Sequence, residues 1–451
     1  MIWPRGDGVV SYLRFMSDTL FPREPVGIQD EDVKRGPRVQ RPNRSQMELR
    51  PVDLDALLPP DHRARLVWEF VEGLDLGPLY AEIKAVEGHA GRPSIDPAIL
   101  MSLWLYATLE GVGSARALER LCEQHDAYRW ICGGVSVNYH TLAEFRVAHS
   151  EWLDAQLTTS VATLVSEGLV DLKRVAQDGV RVRASAGAAS FHRRERLEGC
   201  LAEAEAQVAA LRREVHEDPA ATSRRLAAAR QRAAEEQRER VAKALAQLPE
   251  VEAKKKAADK DKARVSATDP DARVMKMADG GFRPAFNGQF ATDTSTQVIV
   301  GVDVSNVGSD LGQAAPMVEQ IRARHQKGPD ELLVDGGFVA HDDIVAMALP
   351  GLRCLVYAPV PQPRDPSRDR HQPLPSDPEA IREWRQRMGT DQAKEIYKDR
   401  AATAECVNAI ARNRGLRQFV VRGLAKVKAI LLWFALAHNL MRAVALRRAA
   451  A

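Results

Sequence analysis

Between residues 46 and 165 apolar positions recur at three- and four-residue steps, the period of helices with one buried face. ARLVWEFVEGLDL follows the turn-rich PVDLDALLPPDH. GRPSIDPAILMSLWLYATLEGV is the clearest segment: Pro93 and Pro97 mark its start, Asp96 is placed to cap the apolar run, and Gly111 and Gly113 close it. Ser114 is placed to cap ARALERLCEQHDAYRWICGG, read as one helix that Gly133 and Gly134 terminate. SVNYHTLAEFRVAHSEWL supplies another start and helix. Short helices joined by tight turns predict a helix-turn-helix-like bundle.

The period shortens further along. In DLKRVAQDGVRVRAS, Val175, Val180 and Val182 predict a strand that contains Asp178 and Gly179. FRPAFNGQFATDTSTQVIVGVDV, residues 282–304, reads as two strands joined by a Thr/Ser turn. Residues 310–327 read as a helix, ELLVDGGF as a short strand ending at Asp335, and RCLVYAPV as another strand after the next helix. PVPQPRDPSRDRHQPLPSDP reads as a Pro-rich loop, and Asp391 to Arg414 as helix. Strand, hairpin, helix, strand, helix, strand, helix is the order of an RNase H-like α/β domain, a mixed sheet flanked by helices.

Residues 191–263 interrupt that order. Ala, Glu, Arg, Lys and Leu dominate them, and Pro219 and Pro249 punctuate them. They predict a helical, coiled-coil-like insertion that leaves the sheet intact. Its narrow apolar seam, as in LAEAEAQVAALRREV, suits either a self-paired hairpin or pairing with a second copy of the chain. The domain organisation expected is thus a flexible basic arm (1–45), a helical block (46–165), a catalytic domain (166–190 and 264–449) and the insertion (191–263).

Composition adds limits. The 451 residues are 45% hydrophobic and 28% charged, enough for packed cores. Net charge is +3, from 64 basic and 61 acidic side chains, so any nucleic-acid binding must come from local patches, of which KKKAADKDKAR is the most basic run. The cysteines at 122, 132, 200, 354 and 406 form no CxxC pair, which argues against structural zinc and for a reduced cytoplasmic protein. Val427 to Leu446 is the most apolar stretch, but Lys428, His438, Asn439 and Arg442 interrupt it. It reads as a buried helix and not as a membrane span.

The chemistry rests on three carboxylates. Asp178 lies within a predicted core strand, Asp335 ends another in front of two glycines, and Glu405 lies on the helix after the last strand. A carboxylate at a buried strand end needs a partner. Three of them converging from two strands and a helix would make a hard-oxygen site for Mg²⁺ or Mn²⁺. Two such ions can activate an attacking oxygen and stabilise a leaving one in phosphoryl displacement. Tyr397 and Arg400 stand three apart on one helix face, placing a cation near the site. Arg116, Arg120, His140 and Arg146 are candidates for phosphate contact. Asn287 is a candidate for orienting Asp178 or the DNA, although Asn-Gly is first a turn signal.

YKDRAATAE, with Tyr397, Arg400 and Glu405, resembles the Tyr-Arg-Glu signature of bacterial insertion-sequence DDE transposases of the IS-five-like group. RQFVVRGLAKVKAILLWFALAHNLMR resembles the tail that follows it there, and GRPSIDPAILMSLWLYATLEGVGSARALERLC with NYHTLAEFR resembles that group's DNA-binding domain. The likeness covers roughly residues 46–447, apart from much of the insertion. Two positions depart from it: Cys406 stands where a Pro often follows the Glu, and Arg412 where a Lys stands. Arg keeps the charge and can grip phosphate bidentately. The resemblance implies that Asp178, Asp335 and Glu405 are catalytic and bind two Mg²⁺ or Mn²⁺ ions, and that Tyr397, Arg400 and Arg412 contact DNA phosphates.

The function expected is a transposase that binds terminal inverted repeats, cuts strands and transfers them to target DNA. The expected partners are double-stranded DNA, both element ends and target, and a second copy of the chain on that DNA, with no membrane. The competing expectations are an RNase H-like nuclease without strand transfer, an inactive DNA-binding remnant, and a coiled-coil scaffold.

Overall fold

The computed structural model describes residues 53–85, 93–217 and 223–451, together with Ser45 and Met47. The arm expected at 1–45 lies, Ser45 apart, outside the described residues, as does Pro219. Seven helices open the described chain: α1 (Arg63–Glu72), α2 (Gly77–Ala81), α3 (Pro97–Leu109), α4 (Ala115–Gln124), α5 (Asp126–Cys132), α6 (Tyr139–Ala148) and α7 (Ser150–Ser166). Asp96 caps α3 as its position predicted: its Oδ1 accepts from Ala98 N at 2.8 Å and from the Tyr80 hydroxyl at 2.7 Å. α3 is buried along almost its whole circumference, Trp104 and Met101 included, which makes it the core of this block. The single helix expected over 115–132 is two. His125 takes an extended backbone, and its ring Nδ1 accepts from Ala127 N at 3.2 Å, so it caps a new helix in another direction.

The main sheet has six strands: β1 (Arg174–Arg183), β4 (Arg273–Lys276), β5 (Phe282–Asp293), β6 (Ile299–Ser305), β7 (Glu331–Leu333) and β8 (Leu355–Tyr357). Their order is β4-β5-β1-β7-β8, with β6 also on β5. β5 is long enough to pair with β1 along one side while β4 and β6 share the other end to end. These pairs are antiparallel, whereas β1-β7 and β7-β8 are parallel, so the sheet is mixed. α10 (Ala314–His325), α11 (His341–Ala348), α12 (Glu379–Gly389), α13 (Asp391–Arg400) and α14 (Cys406–Asn413) follow in the chain. The edge strand β4 and helix α12 were not foreseen. β4 has only four residues, and α12 begins directly behind the Pro-rich loop that masked it.

Between β1 and β4 the chain leaves the sheet through a two-stranded ribbon, β2 (Phe191–His192) with β3 (Val265–Ser266), which carries α8 (Arg194–Glu217) and α9 (Arg224–Ala253). The insertion is therefore a helical pair on a strand neck. Leu197, Ala204, Val208, Ala234, Val241, Ala244 and Leu248 are all under 5% exposed, so the seam seen in the sequence is consumed by the pairing of these two helices. The base is latched to the rest: Lys243 Nζ and Gln247 Nε2 donate to Asp271, whose Oδ2 also accepts from Leu424 N at 3.1 Å.

Leu424 opens α15 (Leu424–Ala450). By length and composition this helix could cross a membrane, yet 67% of its most apolar window is buried inside the protein. It packs against α3, α6 and α7 on one side and β6 on another. Asn439 joins it to the sheet edge, accepting from Ile299 N at 2.8 Å and donating to Ile299 O at 2.7 Å. Trp433 Nε1 donates to Arg146 O at 2.9 Å in the helical block. The turn into α15 needs Gly423, with φ of 89°, a conformation open mainly to glycine. Its N–H donates to the buried Asp269 Oδ1 at 3.2 Å. Residues 52–451 form one compact unit.

Candidate active site

Asp178 sits in the middle of β1, the central strand. Both its oxygens are held: Oδ1 accepts from Gly179 N at 3.0 Å and Oδ2 from Asn408 Nδ2 at 2.8 Å. Asp335 lies two residues past the end of β7, which runs beside β1. It caps a 3₁₀ turn over Gly336–Phe338, where Oδ1 accepts from Gly337 N at 2.7 Å. Glu405 comes from the opposite direction, on the helical run that begins with α13.

That run contains an irregularity. Between α13 and α14, residues Ala401–Glu405 form a π-helical turn. In an α-helix each residue turns about 100°, so two residues five apart point about 140° away from each other. Arg400 and Glu405 are five apart, and on a regular helix they would diverge. The π turn, which spaces its hydrogen bonds at five residues, brings them together, with Arg400 Nη1 3.2 Å from Glu405 Oε1.

Arg400 is the hub of the site. Its Nη2 is 3.3 Å from Asp178 Oδ1 and 3.8 Å from Asp335 Oδ2. Three carboxylates separated by 157 (335 − 178) and 70 (405 − 335) positions in the chain thus meet around one guanidinium. Exposure grades across them: the side chains of Asp178, Asp335 and Glu405 are 17%, 42% and 60% exposed. Burial pushes the Asp178 carboxyl above the usual carboxylate range; Arg400 pulls it back and the neighbouring charge of Asp335 adds to the rise. Tyr397, half-buried one turn before Arg400, has its hydroxyl pushed up by burial, and it lies within the field of all three carboxylates.

The donor set suits a hard divalent cation, being three carboxylates that already surround a positive group. As the side chains stand, however, no three His, Cys, Asp or Glu among the described residues form a ligand cage. The guanidinium lies between the oxygens that would have to close on an ion.

The other expected site residues distribute unevenly. Arg412, seven residues after Glu405, is exposed and returns to nearly the same helix face after two turns. Arg116 and Arg120 are exposed on α4, with the Arg116 guanidinium 4.9 Å above the Tyr139 ring, and His140 is exposed at the start of α6. Arg146 is not available to DNA. It is 8% exposed, donates to Gly113 O and lies 4.3 Å over the Trp104 ring, so it is a packing residue of the interior. Asn287 does not reach Asp178 either. It lies opposite Arg181 in the β1-β5 register, on the other face of the sheet from Asp178, and donates to Asp310 Oδ1 at 2.7 Å.

Two residues went unnoticed in the sequence. Asn408, 2% exposed, stands three after Glu405; a buried amide at that spacing from a candidate ligand was the available signal. Asp310 gathers Asn287, Gln289 and, at 3.6 Å, Arg181 beneath Gly179. A Cβ on Gly179 would collide with Asp310 Oδ1, which explains the glycine after Asp178: it leaves room for the carboxylate that braces the strand from behind. Nothing in the chain near 310 signals this, because the contact depends on sheet register.

Two family models match the chain. The model described as Transposase domain (DUF772) matches residues 52–148, the helical block through α6. The model described as Transposase DDE domain matches residues 364–444, which hold Tyr397, Arg400, Glu405, Asn408 and most of α15. No curated protein and no solved structure matches the chain. A helical N-terminal region followed by a mixed sheet with helices fits such an enzyme, and the two domain matches together support an insertion-sequence DDE transposase.

Proposed function

We propose that the chain binds the terminal inverted repeats of a mobile element and carries out metal-dependent strand cleavage and strand transfer on an RNase H-like core, with Asp178, Asp335 and Glu405 as the catalytic carboxylates. The observation that carries this reading is the meeting of all three on Arg400. Three carboxylates so distant in the chain meet around a single guanidinium, which offsets only one of their charges, and such a cluster is costly unless a function retains it.

Two Mg²⁺ or Mn²⁺ ions, when bound by these carboxylates, would supply the charge that activates an attacking oxygen and stabilises a leaving one. The chain's own residues do the rest. Asn408 and the Gly179 N–H fix both oxygens of Asp178, so that ligand is rigid. The Gly337 N–H fixes one oxygen of Asp335 and leaves the other facing the site. Glu405 is the most exposed of the three and is tied to the site through Arg400. Arg400, Tyr397 and Arg412 share one side of the helical run and are placed to grip phosphates on the approaching strand. Arg116, Arg120 and His140 offer a second basic surface, whose binding should weaken steeply with salt. Double-stranded DNA is the partner this reading requires, and a second copy of the chain would hold the second end.

Asp335→Asn tests it. Strand cleavage in Mg²⁺ should be lost while duplex binding stays within about twofold, because affinity comes mainly from phosphate contacts elsewhere. Persistent cleavage by a clean Asp335→Asn protein would refute the assignment.

A further inference from the structure

The Arg400 guanidinium occupies the place that a cation must take if the three carboxylates are to act together. It lies 3.3, 3.8 and 3.2 Å from Asp178, Asp335 and Glu405 respectively, and its side chain is 11% exposed. A guanidinium presents N–H donors to the same lone pairs that a metal ion would use, so the two cannot be held by these oxygens at once. The carboxylates, spread around the planar group, do not form a ligand cage. Arg400 Nε is buried without a hydrogen-bond partner among the described residues; its polar contacts there run through the two terminal nitrogens, so no hydrogen bond at the root of the group holds it in this pose.

Resting on the reading that this trio holds divalent ions, we propose that Arg400 is a built-in placeholder: in the DNA-free protein it offsets part of the carboxylates' charge, occupies their shared oxygens and keeps divalent ions out, and a DNA phosphate draws it off. A phosphate is the substrate group fitted to do so, since it accepts the guanidinium fork bidentately just as a carboxylate does. Metal loading and DNA binding are then coupled through one side chain, and the coupling is reciprocal. The consequence is an enzyme whose ion site stays closed until a strand is in place.

The test is Mn²⁺ binding to the full-length, DNA-free protein, followed by the electron paramagnetic resonance of free Mn²⁺, with no activity readout. The expected result is that Arg400→Gln binds Mn²⁺ at least about tenfold more tightly than the wild type, about 1.4 kcal/mol, and that adding Asp335→Asn abolishes the gain. If Arg400→Gln binds Mn²⁺ no tighter than the wild type, while Asp335→Asn still weakens binding in both, the placeholder is wrong and the metal-binding reading stands. If neither protein shows Asp335-dependent Mn²⁺ binding, the metal reading falls and the placeholder with it. Should Arg400→Gln fail to melt cooperatively, Arg400→Lys takes its place. It keeps the charge but loses the fork, and is expected to tighten binding by a smaller factor; unchanged binding in that variant also overturns the proposal.

Discussion

Asp269 shows how a single side chain can hold the architecture at a cost. It is fully buried; one oxygen accepts from Gly423 N and the other has no partner among the described residues. Burial, with the nearby charge of Asp271 adding to it, pushes its carboxyl up to about 6 from 3.8. The folded state therefore holds this proton more tightly than the unfolded chain does. The resulting stability is fully present below about pH 4 and is lost as pH rises through about 6. Asp269→Asn removes the penalty of a buried charge, so it should raise stability by about 1–2 kcal/mol at pH 8 and leave it nearly unchanged at pH 4. Thermal melts at the two pH values check this, and an equal shift at both would contradict it. At this scale the sequence was partly legible. Asp178, Asp335 and Glu405 could be chosen because a strand interior, a strand end and a helical signature mark them. Arg146 and Asn287 could not be assigned, because whether an Arg faces solvent or a tryptophan, and which face of a strand an Asn takes, depends on partners far away in the chain.

Among elements, the π turn at Ala401–Glu405 is the one on which the site depends. It absorbs one residue more than an α-helix could carry between Arg400 and Glu405. Deleting Ala401 should therefore leave a regular helix with four-residue spacing, which still pairs the two side chains, and cleavage should survive. Inserting an alanine at the same place should swing Glu405 by about 100° and abolish cleavage. Parallel cleavage assays, with circular dichroism to confirm helix content, read the asymmetry; equal loss in both variants would show that the turn does not set the register. The helical pair α8-α9 leads to a different expectation. Its apolar seam is spent internally, so replacing residues 194–262 with a short Gly/Ser linker should leave the number of chains per particle in light scattering unchanged, the mass falling only by the segment removed. A halving of that number would show that this element joins two copies. Helix periodicity made these elements visible in the sequence. The π turn was not visible, because one surplus residue in a helical pattern leaves no compositional trace.

For the molecule as a whole, α15 is the member that both halves share. It contacts α3, α6 and α7 together with β6, and Asn439 completes the backbone pairing of Ile299. Asn439→Ala would leave a buried N–H and a buried C=O without partners, for a loss of about 2–4 kcal/mol. Urea unfolding, followed both by the tryptophans of the helical block and by far-ultraviolet dichroism, should show one transition shifted as a unit; two separated transitions would mean that the halves fold independently. The order of strands and helices could be read from the sequence, but the sharing of one core could not, since an apolar helix does not reveal how many neighbours it serves. The ribbon at the base of the helical pair has a further consequence. Phe191 and His192 pair directly with Ser266 and Val265, so the chain departs and returns at neighbouring points on a closed doorway. A passage of that kind fixes the ends and leaves the length between them free. Cargo of another size, even a foreign folded module, could be hung there while β1 and β7, which position Asp178 and Asp335, keep their spacing.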